Sequence, residues 1–252
     1  GRLLKQSLSL SPRPSLLTSE RVSQSLLREL LSFSLPTMIA SSMLLIHRNI
    51  DTLFVGYFTS NEVVGVYDVV YTLATLMGLG LFAFGFILLP PFSEAGANGQ
   101  QADMQEVFAV AQKWVLLISL PAFLAYVLSP EVVISLTFGP EYVAGGLTLS
   151  VLGVAYLSQG LVGLNGHAIT AIGETRLLMY DAIATAITNL VLNFLLIPRY
   201  GGLGAAIATT GSLVVLNLLC SYQLHQRTGI VPVSREMLTV GTAASGVTTV
   251  IY

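Results

Sequence analysis

Apolar stretches long enough to cross a lipid bilayer recur along this chain and are separated by short segments that contain proline, glycine or charged residues. A helix that spans a membrane needs about 20 mostly apolar residues. Six stretches meet that length, at about residues 31–58, 64–90, 107–128, 147–170, 177–197 and 203–224. A seventh apolar run starts near Met237 and reaches Tyr252. The pattern predicts an all-α, polytopic membrane helical bundle with six complete transmembrane helices plus the start of a seventh.

Prolines and glycines give the predicted boundaries. We expect Pro90 and Pro91 to end the second span and Pro198 to end the fifth, because proline lacks the amide hydrogen that a helix interior requires. Gly204 and Ala208 are four residues apart at the start of the sixth span. Small residues at this spacing allow close approach of two helices in a membrane.

The two ends of the chain differ in character from its middle. Residues 7–14 are rich in serine and proline, and an amphipathic pattern begins at Ser19. We therefore expect residues 1–29 to form a cytoplasmic linker with an amphipathic helix, and residues 30–225 to form the six-helix bundle. Residues 226–252 are expected to form a cytoplasmic loop and a truncated transmembrane helix. The chain begins with Gly1 and stops inside an apolar run, so we expect an excerpt of a longer polytopic protein.

The distribution of basic residues predicts the orientation. With the N-terminal linker in the cytoplasm, nine of the eleven Lys and Arg residues fall on inside segments, Arg48 lies in the membrane, and only Arg199 falls outside. Cytoplasmic loops of membrane proteins carry an excess of Lys and Arg. We therefore expect a multi-pass protein of the plasma membrane.

Composition and missing motifs exclude several classes of function. Hydrophobic residues make up 54% of the chain and charged residues 10%, against about 25% charged in soluble domains. The net charge is −2 and no basic stripe lies beyond residue 30, so no nucleic-acid partner is expected. The sequence contains no phosphate-binding loop, no His-Glu-x-x-His motif and no Gly-x-Ser-x-Gly motif. We expect no cofactor, no metal site, no catalytic residue and no enzyme activity.

The first predicted span carries a polar cluster deep inside it, at His47, Arg48, Asn49 and Asp51. Charged side chains at that depth are costly and commonly mark a transport path. We expect this cluster to line a substrate or translocation path. An alternative is a structural ion pair, because Arg48 and Asp51 are three residues apart and share a helix face.

A polar stripe follows one face of the fifth span. It contains Asp181, Thr185, Thr188, Asn189 and Asn193, at offsets of 0, 4, 7, 8 and 12 residues. We expect the stripe to face the interior of the bundle, with Asn189 and Asn193 on the path. Interhelical hydrogen bonding is an equally weighted alternative, and Asp181 has the further alternative of solvation at the cytoplasmic end.

The fourth span adds Asn165, which we also place on the translocation path, and His167. His47 has the alternative role of a proton carrier. We expect His167, close to the inner end of its span, to be a hydrogen-bonded or interfacial side chain.

Five stretches resemble conserved segments of a known family. The longest, residues 189–209, has the sequence NLVLNFLLIPRYGGLGAAIAT. The others are IDTLFVGYF at 50–58, VGVYDVVY at 64–71, FGPEY at 138–142 and TAIGETR at 170–176. In this order and spacing they resemble the polysaccharide-biosynthesis, or lipid-linked oligosaccharide, flippases of the multidrug/oligosaccharidyl-lipid/polysaccharide exporter superfamily.

The resemblance covers about residues 28–225 and implies the C-terminal half of a protein of 12–14 spans. It implies alternating access of two helical bundles, with an upstream N-terminal half as partner. The implied substrate is a polyprenyl-diphosphate-linked oligosaccharide, flipped from the inner to the outer leaflet, with glycan-assembly enzymes as further partners. Arg48 suits the diphosphate, since guanidinium binds phosphate in a bidentate way.

Two other functions remain open from the sequence. A drug or cation antiporter of the same superfamily would use Asp51 as its coupling carboxylate. A membrane-embedded glycosyl- or acyltransferase would use His47 or His167.

Overall fold

The computed structural model describes the backbone of residues 19–231, and the side chains of residues 26–231 other than Glu29, Leu44 and Arg48. The serine- and proline-rich part of the linker and the predicted seventh helix lie outside these residues.

The described part of the chain is helical throughout, and six helical stretches are long and apolar enough to cross a membrane. The helices are α1 (Ser19–Phe58), α2 (Asn61–Leu76), α3 (Gly78–Ala97), α4 (Gln101–Leu128), α5 (Pro130–Thr137), α6 (Gly146–Val162), α7 (Leu164–Ala171), α8 (Thr175–Tyr200) and α9 (Gly202–Thr228), with a 3₁₀ helix at Pro140–Gly145. The second span consists of α2 and α3, and the fourth contains the 3₁₀ helix, α6 and α7. The prediction of a polytopic helical membrane bundle is confirmed.

Two of the predicted boundaries are wrong. Helix α3 continues through Pro90 and Pro91 to Ala97, and α8 continues through Pro198 to Tyr200. Proline is tolerated inside transmembrane helices because neighbouring groups satisfy the backbone atoms that it frees. Helix α8 ends at Tyr200 and is followed by Gly201, where φ is +56°, a backbone conformation that favours glycine.

Helix α1 is one unbroken helix of 40 residues. It therefore joins the predicted amphipathic segment directly to the first span. Lys113, counted on the inside for the orientation, lies within α4.

Helices α8 and α9 form the centre of the packing, since α8 packs against both α1 and α9, while α9 also contacts α6. Helix α4 lies between α3 and α6. The turn between α8 and α9 is tight, because a Cβ atom at Gly204 would lie 2.5 Å from the backbone oxygen of Leu196. The predicted close approach at Gly204 is confirmed.

Apolar side chains form separate clusters along the bundle. One lies between α2, α4 and α6 around Leu73, Phe123 and Leu152, and another between α3, α4, α7 and α9 around Phe92 and Phe108. A smaller one joins Val55, Tyr67, Ile197 and Ala205. This smaller cluster lies beside the buried polar group described next.

Candidate functional site

The carboxylate of Asp51 is fully buried, with an exposed fraction of 0%, at the junction of α1, α2, α8 and α9. The Tyr67 hydroxyl on α2 donates a hydrogen bond to Oδ2 at 2.9 Å. The Asn193 amide on α8 donates to Oδ1 at 2.6 Å, and the Thr209 hydroxyl on α9 donates to Oδ2. One carboxylate therefore binds donors from three other helices.

These four residues lie at similar depths, which is why their side chains can meet. Asp51 is seven residues before the end of α1, Asn193 is seven before the end of α8, and Thr209 is seven after the start of α9. At 1.5 Å per residue this is about 10 Å from each helix end. Tyr67 is six residues into α2. The site therefore lies at the end of the bundle that the charge distribution predicts to be outside.

His47 extends the same polar group along α1. It lies one turn before Asp51, and its Nε2 is 2.7 Å from the Ser212 hydroxyl on α9. The Ser212 hydroxyl donates to the backbone oxygen of Thr209 at 2.9 Å. Since a hydroxyl has one proton, this leaves Ser212 to accept from His47 Nε2–H. His47 and Asp51 thus both anchor α1 to α9.

Asn189 continues the group along α8, and its Oδ1 accepts a hydrogen bond of 3.1 Å from Asn193 Nδ2. Both asparagines are fully buried. Among the residues that the structure describes, Asn189 Nδ2 and Asn193 Oδ1 have no hydrogen-bond partner. These two atoms are one donor and one acceptor, on neighbouring turns of α8.

The remaining predicted path residues do not join this group. Asn49 is exposed, and its side-chain amide donates to the backbone oxygen of Leu45 at 2.7 Å. The Arg48 side chain lies outside the described residues, so the ion pair with Asp51 stays a prediction. Among the described side chains, no Lys or Arg lies within 4.0 Å of Asp51.

Asn165 is also fully buried but belongs to a different contact. Its amide donates to the Ser221 hydroxyl at 2.6 Å and so joins α7 to α9, while its Oδ1 has no partner in the described chain. His167, two residues further on, packs against Gly85 of α3. The structure therefore separates Asn165 and His167 from the Asp51 group.

A second buried carboxylate lies at the other end of α8. Asp181 is only 2% exposed, which contradicts the alternative that it is solvated. Gln223 Nε2 donates to it at 2.6 Å and the Cys220 thiol at 3.4 Å, both from α9. The reason for its burial is that α9 runs beside α8 along the whole length of the stripe. Thr185, Asn189 and Asn193 are fully buried as well, so four of the five residues of the stripe face the interior as predicted, while Thr188 is partly exposed.

Sequence reasoning did not assign Tyr67, Thr209 or Ser212 to the site. A signal for the last two was present, since both are hydroxyl residues three positions apart in an apolar helix. Tyr67 gave no such signal, because aromatic residues are common at membrane helix ends.

The arrangement makes one buried carboxylate the common acceptor for side chains of three other helices. The carboxylate is held by uncharged donors, so a proton or a cation at Asp51 would change the hydrogen bonds of four helices at once. Within the described residues, no three His, Cys, Asp or Glu side chains come together as a metal-binding group.

Comparisons with known proteins agree with this architecture. Residues 10–144, just over half of the chain, match the family model described as polysaccharide biosynthesis protein. No solved structure matches the chain.

Three relatives carry names that refer to a flippase or to teichuronic acid biosynthesis. The chain is 23% identical over 78% of its length to the "Probable low-salt glycan biosynthesis flippase Agl15" of Haloferax volcanii, covering 42% of that protein. It is 25% identical over 73% of its length to the "Probable flippase AglR" of the same organism, covering 39% of it. It is 26% identical over 52% of its length to the "Teichuronic acid biosynthesis protein TuaB" of Bacillus subtilis, covering 27% of it. The chain thus spans less than half the length of these relatives.

The family match, the multi-pass helical bundle and these relatives lead to one conclusion: the chain belongs to the polysaccharide biosynthesis protein family.

Proposed function

We propose that the protein containing this chain moves lipid-linked oligosaccharide from the inner to the outer leaflet of the plasma membrane. The exported glycan would serve polysaccharide or glycoprotein assembly. The observation that carries the proposal is the similarity to two proteins named as flippases, over 78% and 73% of the chain. The chain would act as one of two bundles, with an upstream half as its partner and residues 1–29 in the cytoplasm.

In this proposal the protein is a transporter and makes no covalent bond to its substrate. The His47–Ser212 pair supports this, because Ser212 donates to a backbone oxygen and His47 then acts as donor to Ser212. A histidine in that state does not serve as a base toward the serine. Both side chains are also buried, at 6% and 0% exposure.

We assign the coupling role to Asp51. Its carboxyl group is buried among uncharged donors. Ionisable side chains inside a membrane commonly mark ion pathways and proton relays. Binding or release of a proton or monovalent cation there would loosen or tighten α1 against α2, α8 and α9. That is a local change that could drive the alternation of two bundles.

A transport assay tests the flippase proposal directly. Full-length protein is reconstituted in vesicles with a fluorescent polyprenyl-diphosphate-linked oligosaccharide, and movement between leaflets is followed by quenching from outside. We expect wild-type protein to accelerate the movement and Asp51→Asn to abolish it while the protein remains folded. The matched control is Asp68→Asn on α2, which removes an exposed carboxylate that accepts one bond of 3.0 Å from Thr52.

The outcomes separate the claims. No acceleration by folded wild-type protein would contradict the flippase proposal. Acceleration that Asp51→Asn leaves intact would contradict only the coupling role of Asp51.

Arg48 is proposed to contact the diphosphate during passage. The support is its position one residue from His47 on α1 and the match of guanidinium to phosphate geometry. Arg48→Ala should cripple glycan export without loss of folded protein from the membrane, and near-wild-type export would refute the contact.

A drug or cation antiporter is the second candidate, and the buried Asp51 carboxylate is the observation that favours it. Dye efflux driven by H⁺ or Na⁺ is the discriminating measurement. If the wild-type protein drives dye efflux that Asp51→Asn abolishes, and folded wild-type protein does not accelerate transfer of the lipid-linked oligosaccharide, the antiporter function is supported and the flippase function is not.

A further inference from the structure

A groove runs between α1 and the start of α8 at the end of the bundle opposite Asp51. Two cavities of about 560 and 260 Å³ form it, and both are lined by Ser32 and Arg176. The larger has Leu26, Leu30, Phe33 and residues 173–176 on its walls, and the smaller has Leu35, Pro36, Ile39, Met179 and Tyr180. From Leu26 to Ile39 the groove follows α1 for about 20 Å.

The two parts of the groove differ in chemistry. The smaller cavity is almost wholly apolar apart from Ser32 and Arg176. The larger includes the first residues of α8, where the exposed Arg176 guanidinium has no carboxylate within 4.0 Å among the described side chains. The groove therefore has a cationic mouth and an apolar extension.

The start of α8 adds further donors to the mouth. The first amides of a helix have no partner within the helix, and no side chain caps this one. Such a helix end attracts anions. The carboxylate of Glu174 lines the same cavity, but it is paired with Arg227 at 3.3 Å, which offsets its negative charge.

We infer that this groove is the loading site for the lipid carrier, with the diphosphate at Arg176 and the first isoprene units along α1 toward Ile39 and Met179. This rests on the proposed flippase function, which requires a carrier with an anionic head and an apolar chain in the inner leaflet. A diphosphate fits the mouth better than a single phosphate ester, because it can bind the guanidinium and the helix amides at once. The larger cavity leaves room beyond the diphosphate for the first sugar.

A binding experiment on full-length protein in phosphatidylcholine nanodiscs tests the groove. The probe is geranylgeranyl diphosphate, which has both parts of the carrier, compared with geranylgeraniol and inorganic diphosphate. We expect Arg176→Ala to weaken binding of the probe about tenfold, as for loss of one hydrogen bond to a charged group, and Arg176→Lys to restore part of it. The control is Arg199→Ala, an exposed arginine at the other end of the same helix.

The apolar part needs a variant of its own. Met179→Trp should fill the smaller cavity. It should therefore weaken the binding of geranylgeranyl diphosphate more than the binding of inorganic diphosphate. Equal effects on the two ligands would overturn the placement of the chain in the groove.

Other outcomes decide against the proposal in distinct ways. If Arg176→Ala binds geranylgeranyl diphosphate as tightly as wild type does, the site is contradicted. If phosphatidylglycerol displaces the probe as well as unlabelled geranylgeranyl diphosphate does, the groove is a site for bulk anionic lipid instead. Leaflet transfer by the wild-type protein is measured separately. If the wild-type protein transfers the lipid but Arg176→Ala binds the probe as well as wild type does, only the loading site is contradicted. If binding of the probe depends on Arg176 but the wild-type protein transfers no lipid, only the flippase function is contradicted.

Discussion

The bundle buries one carboxylate near each end of α8, and the two are held in different ways. Asp51 accepts hydrogen bonds from Tyr67, Asn193 and Thr209, which lie on three helices other than its own. Asp181 accepts from Gln223 and Cys220, which both lie on α9. The first carboxylate ties four helices together, and the second ties two.

The difference bears on the coupling role proposed for Asp51. A change of charge at Asp51 affects contacts of α1, α2, α8 and α9 together, whereas a change at Asp181 stays within the α8–α9 pair. Burial alone therefore does not identify a coupling group, since both carboxylates are at most 2% exposed.

Asp51→Ala should have the largest effect. Three buried donors would lose their acceptor, and at about 0.6 kcal/mol per interhelical hydrogen bond the loss of stability is about 2 kcal/mol. Thermal unfolding of the full-length protein in detergent measures it. Asp51→Asn keeps one acceptor oxygen, which serves the two hydroxyl donors at Oδ2 but not the Asn193 amide at Oδ1, so it should destabilise the protein less than Asp51→Ala does. Equal destabilisation by both variants would contradict this account.

Asp181→Ala should destabilise by about 1 kcal/mol, since one amide and one weak thiol donor lose their acceptor. The same unfolding measurement applies, and export should persist. If Asp181→Ala costs as much as Asp51→Ala, the contrast between four-helix and two-helix junctions is wrong.

Tyr67→Phe should lower the free energy of unfolding by about 0.6 kcal/mol, because it removes one hydrogen-bond donor and keeps the ring in its apolar cluster. A double-mutant cycle of Tyr67→Phe with Asp51→Ala measures the pairwise energy, because each single variant removes the hydrogen bond between the two side chains. A coupling energy near zero would show that this hydrogen bond does not stabilise the junction.

Cys220→Ser should have the smallest effect, within about 0.5 kcal/mol, because a hydroxyl can replace the thiol as donor to Asp181 at similar volume. Unfolding and export should both resemble wild type. A large loss of export without a loss of stability would give the Asp181 group a functional role and remove its contrast with Asp51.

Local composition was enough to predict much of the fold. The six spans follow from bilayer-length apolar runs, because partition into lipid depends mainly on the residues of the segment itself. The burial of Asn189 and Asn193 follows from their shared face on α8. The predicted ends of the second span at Pro90 and Pro91 and of the fifth at Pro198 were wrong. Inside a membrane, neighbouring groups satisfy the backbone atoms that proline frees, so the helix can continue.

The sequence by itself determined that the chain crosses the membrane repeatedly, that polar residues line one face of α8, and that Asp51 lies deep in α1. Only the tertiary structure decided which groups bind that carboxylate, since Tyr67, Asn193 and Thr209 are 16, 142 and 158 residues away along the chain. Periodicity fixes the face on which a side chain lies, but the packing of four helices fixes what that face meets. The same packing brought α1 beside the start of α8 and formed the groove at Arg176.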